Sequence, residues 1–173
     1  YISLYEDTTQ SVKIKKGAEV VTKAAHDMSA DVLIIEMGSN GGWDDYDELI
    51  SQYKAMIANS GTQCYIIIGD TDNPDEAIDS ENYNSSKEVG LNDTLWEAAL
   101  REAFGDHFIN MRTYLMQNAL DITGKEANET DIENLLDGRI PDSIKYDYTH
   151  LNGYGYYAYG VGVYEKGVEL GYW

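Results

Sequence analysis

Val32-Leu33-Ile34-Ile35-Glu36-Met37-Gly38-Ser39-Asn40-Gly41-Gly42 is the stretch from which the fold can be read. Its largely apolar first half, Val32 to Met37, is the composition of a strand buried on both faces, as in a parallel sheet. It runs straight into a polar glycine turn, which places the Asn40 amide at the strand's carboxyl end. That end is where open α/β sheets bind ligands.

Working outward, the same pattern recurs. Tyr65 to Gly69 predicts a second buried strand, and Phe108-Ile109-Asn110-Met111 a short third one. Between the first two, Tyr46, Leu49, Ile50, Tyr53, Met56 and Ile57 form one apolar stripe at helical spacing. Asp44 and Asp45 stand at its start and Gly61 at its end. Asp93 to Phe104 predicts a helix with Leu95, Trp96, Ala99 and Leu100 inward. Alternating strands and helices mean an α/β fold with a mainly parallel sheet.

Other segments are less regular. Ile2 to Tyr5 suits a short strand. Val12 to Met28 suits a helix with Ile14, Ala18, Val21 and Ala25 on one face. Arg112 to Tyr146 predicts two short helices broken near Gly124 and Gly138. Asp70 to Gly90 is a long polar stretch, read as a loop or lid. Asp70, Asp72 and Glu81 have part of a calcium-loop spacing, but Asp75 stands where that loop needs glycine. Asn152 to Leu170 carries Tyr157, Val161, Tyr164 and Val168 at helical spacing, with five interspersed glycines. Each glycine costs a helix about 1 kcal/mol relative to alanine, so the tyrosines are expected to hold this helix by core packing. No repeat or linker interrupts the chain, and residues 1–173 read as one domain.

Composition narrows the function. The chain has 43% hydrophobic and 25% charged residues, ordinary for a globular domain. No apolar run approaches the roughly 20 residues of a membrane span. The formal charge of −19 disfavours nucleic acid and anionic lipid and is compatible with a neutral substrate such as a polysaccharide. Cys64 is alone, inside an apolar run, and reads as a buried, inert thiol. The first residue is Tyr1 and no signal segment follows, so the chain is read as processed or incomplete at its N-terminus.

The chemistry centres on Asp147-Tyr148-Thr149-His150. A histidine serves as general base for a hydroxyl nucleophile when a carboxylate holds its other ring nitrogen. One turn brings Asp147 and His150 together, and Asn152 suits the cap of the last helix. Asn40 is a candidate oxyanion donor, a contact worth roughly 3–4 kcal/mol. Trp43 and Tyr148, with Tyr154, are candidate sugar-stacking groups. His26 and His107 read as structural, and no residue set suggests a metal or a cofactor.

Gly38-Ser39-Asn40 and the Asp147/His150 pair together resemble the SGNH (GDSL-type) esterases and acyltransferases, from Ala30 to the end of the chain. That resemblance implies a three-layer α/β/α, flavodoxin-like sandwich. It implies Asn40 as oxyanion donor, His150 as base and Asp147 as its orienting acid. The family's Gly-Asp-Ser block is missing, so the nucleophile is unknown. Gly69-Asp70-Thr71 follows the wrong strand, and Ser39 reads as a turn residue. The family's first strand and serine are then expected from a missing N-terminal segment or a second polypeptide. The expected activity is ester cleavage or acyl transfer, of an acetyl group on a carbohydrate, outside the cell or at its surface. The alternative is a non-catalytic carbohydrate-binding module.

Overall fold

The computed structural model describes residues 16–17, 31–71 and 89–173. The expected Ile2–Tyr5 strand, His26 and most of the Asp70–Gly90 loop lie outside these. So does most of the Val12–Met28 helix. Lys16 and Gly17 form a turn with Gly17 at φ 84°, which no uninterrupted helix through them would allow.

The described residues form a mixed α/β structure around a three-stranded parallel sheet, ordered β1 (Leu33–Ile35), β2 (Tyr65–Ile68), β3 (Phe108–Ile109). Ile34 pairs with Ile66, Ile35 with Ile67, and Ile67 with Phe108. Helices fill the connections: α1 (Tyr46–Ser60) and α2 (Leu95–Phe104), then α3 (Met111–Thr123), α4 (Glu129–Leu136) and α5 (Gly153–Glu169).

Side-chain alternation along β2 divides the core. Ile67 joins Ile35 and Phe108 against Leu49 and Tyr53 of α1 and Trp96, Leu100 and Phe104 of α2. Ile66 and Ile68 join Ile109 against Met111, Leu115 and Ala119 of α3 and Ala158 of α5. The helices start where the sequence provides caps. Asp45 accepts from the Glu48 amide at 2.8 Å, and Thr94 forms a capping box with Glu97. Gly61 and Gly124 end α1 and α3 in left-handed conformation.

Several expectations are corrected. Only Leu33–Ile35 of the first apolar run is strand, and Ile34 is 46% exposed rather than buried on both faces. It shares the face of Ile66, where α5 packs over β2 and leaves this position open. Met111 begins α3 instead of ending β3, because Asn110 caps the helix by accepting from the Thr113 amide at 3.1 Å. Leu95 is exposed, while Trp96 and Leu100 carry the inward face of α2. Cys64 is half-buried and contributes mainly its backbone, its carbonyl receiving the Leu33 amide at 2.9 Å.

The last helix reverses its expected packing. Tyr157 and Tyr164 are each 61% exposed, and the buried residues are Gly155, Ala158, Gly162 and Gly167. A Cβ on Gly162 would fall 2.6 Å from the Tyr114 ring of α3, and one on Gly155 would collide with the Ile144 carbonyl. Glycine here permits close approach, and that packing outweighs its poor helix propensity.

Arg112 joins these parts. It is buried and forms a two-pronged pair with Glu97, Nε to Oε1 at 2.7 Å and Nη2 to Oε2 at 2.8 Å. It also donates to the carbonyls of Gly90, Asn92 and Gly138, all within 2.8 Å. Breaking a buried pair leaves an uncompensated charge and costs about 3–5 kcal/mol. Arg112→Met should lower unfolding stability by that order in urea denaturation. Adding Glu97→Gln should recover part of the loss, because it removes the orphaned charge.

Candidate active site

The turn after β1 is held from beneath. The Tyr53 hydroxyl donates to the Met37 carbonyl, Trp43 Nε1 to the Gly38 carbonyl at 2.9 Å, and Gln52 Nε2 to the Gly42 carbonyl at 2.9 Å. Gly38 has φ 113°, and a Cβ there would meet Trp96 at 2.7 Å, so only glycine fits. Gly41 and Gly42 also have positive φ, whereas no residue other than glycine does among those described. The backbone therefore does not require asparagine at position 40. Its side chain is free to be selected for what it does at the rim of the sheet.

At the other end of the chain, Asp147 and His150 meet as expected. His150 Nδ1 lies 3.0 and 2.9 Å from the two Asp147 carboxylate oxygens. Oδ1 of Asp147 also accepts the backbone amides of Thr149 and His150, at 2.9 and 2.7 Å. These contacts close the turn and leave Nε2 as the ring nitrogen available for a reaction. They also pull the Asp147 carboxyl down to about 2, the backbone and side chain of His150 contributing most and the Thr149 amide next.

Asn152 fixes the turn to α5. Its Oδ1 accepts the amides of Tyr154 and Gly155 at 2.9 and 3.1 Å, and its Nδ2 donates to the carbonyls of Ser143 and Lys145 at 2.9 and 3.0 Å. Lys145 and Leu151 form a short antiparallel bridge across the turn's base.

Asn40 and His150 line one cleft of about 460 Å³, together with Ser39, Thr71 and Tyr148. Asp147 stands behind His150, outside the lining. Trp43, expected to touch substrate, does not line the cleft. It packs in tilted contact with Trp96 and Tyr46, ring centres 5.5 and 5.8 Å away, and props the Gly38 turn. His107, as expected, is structural. It stacks on Tyr65 at 4.0 Å, with Nδ1 2.9 Å from the Tyr172 hydroxyl.

Sequence reading missed part of the cleft's lining, to which Glu36, Asp70 and Tyr159 also contribute. Glu36 directly follows β1 and Asp70 stands two residues past β2, so adjacent parallel strands deliver both carboxylates to the same end of the sheet. Each stands just after an apolar run, and that shared position was the available signal. Desolvation pushes the Glu36 carboxyl up; the Tyr159 hydroxyl opposes this and the Asp70 charge adds to it. Burial, then the Glu36 charge, raises Tyr159 above the usual tyrosine range. Among the described residues no group of three or more His, Cys, Asp and Glu side chains is placed to hold a metal ion.

Two pH dependences follow with opposite signs. A depressed carboxyl favours folding above its unfolded value of about 3.9, and that contribution is lost as pH falls. The Asp147 carboxyl carbon should therefore titrate at about 2 by NMR. A raised carboxyl instead loses stability as pH rises, because the fold penalises its ionised form. Glu36→Gln should raise the thermal midpoint at pH 7 only slightly, because the side chain keeps much of its exposure to solvent, and the gain should vanish below about pH 4.

Neither a family model, nor a curated protein, nor a solved structure matches this chain.

Proposed function

We propose that the cleft is the base-and-oxyanion half of a serine-esterase or acyltransferase site. In this reading the chain is an SGNH-type domain with a three-layer α/β/α architecture. The observation that carries the proposal is the Asp147–His150 pair, with Nδ1 2.9 Å from the carboxylate and His150 opening into the cleft that Asn40 lines.

The chemistry follows from these groups. A serine hydroxyl attacks the ester carbonyl carbon while His150 Nε2 takes its proton. Asp147 holds Nδ1–H and stabilises the imidazolium. The Asn40 amide donates to the oxygen that gains negative charge. Collapse of the intermediate expels the alcohol, which leaves with the proton from His150, and the acyl group remains on serine. Water or a second alcohol, deprotonated by the same histidine, then releases it.

The serine is placed in a segment preceding Tyr1 or on a second polypeptide, as the resemblance implies. The substrate is an ester on a neutral carbohydrate, consistent with a chain of net charge −19 that would repel polyanions, and the setting is extracellular or at the cell surface.

The test is to treat the native polypeptide that carries this chain with a fluorophosphonate and measure its intact mass. One adduct on a serine is expected, lost in His150→Ala, and peptide mapping will show whether it falls within residues 1–173. A folded protein that takes no adduct, either on this polypeptide or on any that co-purifies with it, refutes the esterase reading.

A further inference from the structure

The turn that carries Asp147 also lines a second groove, of about 370 Å³, next to the cleft. Thr130 and Asn134 of α4 line it too, together with Arg139 and Lys145. Tyr146 and Tyr148 flank Asp147 in sequence and are 81% and 72% exposed. Tyr148 lines both the groove and the cleft.

The two aromatic side chains are presented by a backbone that is already ordered. The Tyr146 amide donates to the His150 carbonyl at 2.8 Å, and Asn152 and the Lys145–Leu151 bridge hold the turn's base. A rigid turn that leaves two tyrosines uncovered forgoes their burial in the free protein. The same rigidity lowers the entropic cost of covering them with a ligand.

The groove's chemistry selects the ligand. Tyrosine faces match the apolar C–H face of a sugar ring, and a hydroxyl, an amide and a guanidinium match its equatorial hydroxyls. Arg139 and Lys145 are balanced by Asp142 and Asp147 in the same wall, so no net positive charge favours a polyanion. We propose that this groove is a subsite for the neighbouring residues of a neutral glycan chain whose ester-bearing residue occupies the cleft. The inference rests on the ester-directed reading of the cleft, and it deepens that reading from a small ester to a polymer.

The measurement is titration calorimetry of the whole chain with xylose, glucose, N-acetylglucosamine and mannose, and with the β-1,4-linked hexasaccharide of each. At least one hexasaccharide should bind about twentyfold or more tighter than its monomer, beyond the roughly sixfold that six repeats of one residue can give by statistics alone. Tyr146→Ala should remove the gain beyond that statistical level. Tyr157→Ala, at another exposed tyrosine that lines neither cavity, should not. His150→Ala should retain the binding, so glycan binding without fluorophosphonate labelling would sink the esterase reading and leave the groove standing. If no hexasaccharide gains over its monomer beyond the statistical level, or if Tyr146→Ala leaves that gain unchanged, the groove proposal is overturned, whatever the labelling shows.

Discussion

The buried Arg112 guanidinium is the constraint on which most of the described structure depends. A planar cation with five donors tolerates burial only when nearly every donor is met. Here one carboxylate and three carbonyls meet them, drawn from the segment before α2, from α2 itself and from the turn after α4. None of these partners is near Arg112 in sequence. Satisfying one side chain therefore fixes how three separate segments sit around the start of α3. The turn at Gly138 leads directly into Ile140 and Ile144, both fully buried, and from there into Asp147. The candidate base thus stands on a path whose origin is an electrostatic demand in the core.

The strands and the first helices were legible because apolar periodicity and end signals agreed. Asp45 and Gly61 bracket α1, and Val32–Ile35 and Tyr65–Ile68 have the composition of sheet interior. The last helix was misread for a definite reason. Hydrophobicity assigns the inward face to the largest apolar side chains, so Tyr157 and Tyr164 looked like core. The space beside Tyr114 and Ile144 is too narrow for any Cβ, and glycine takes it. Pattern reading measures affinity for the interior and says nothing of the distance between backbones.

The site was legible where neighbours in sequence do the work. Asp147 and His150 are three residues apart, and a single turn suffices to join them. Asn40 stood out because its strand and turn are contiguous. Glu36 and Asp70 come from just past the ends of two strands and Tyr159 from a distant helix, and only the fold brings them to one cleft. Trp43 shows the converse. It sits next to the glycine turn in sequence, yet its indole faces Trp96, so proximity along the chain suggested a contact with substrate that its packing does not provide.

Asn152 couples two things that are usually separate, the cap of a helix and the base of a turn. Through it the Asp147–His150 turn is tied to the first turn of α5, and α5 lies against α3 where the Gly162 backbone meets the Tyr114 ring. The Tyr114 hydroxyl, bonded to Glu165 at 2.7 Å, steadies that contact. The placement of His150 relative to Asn40 therefore depends on a helix contact whose residues do not line the cleft. Drift of the chain at position 114 or 162 would shift His150 against Asn40 without touching either of them.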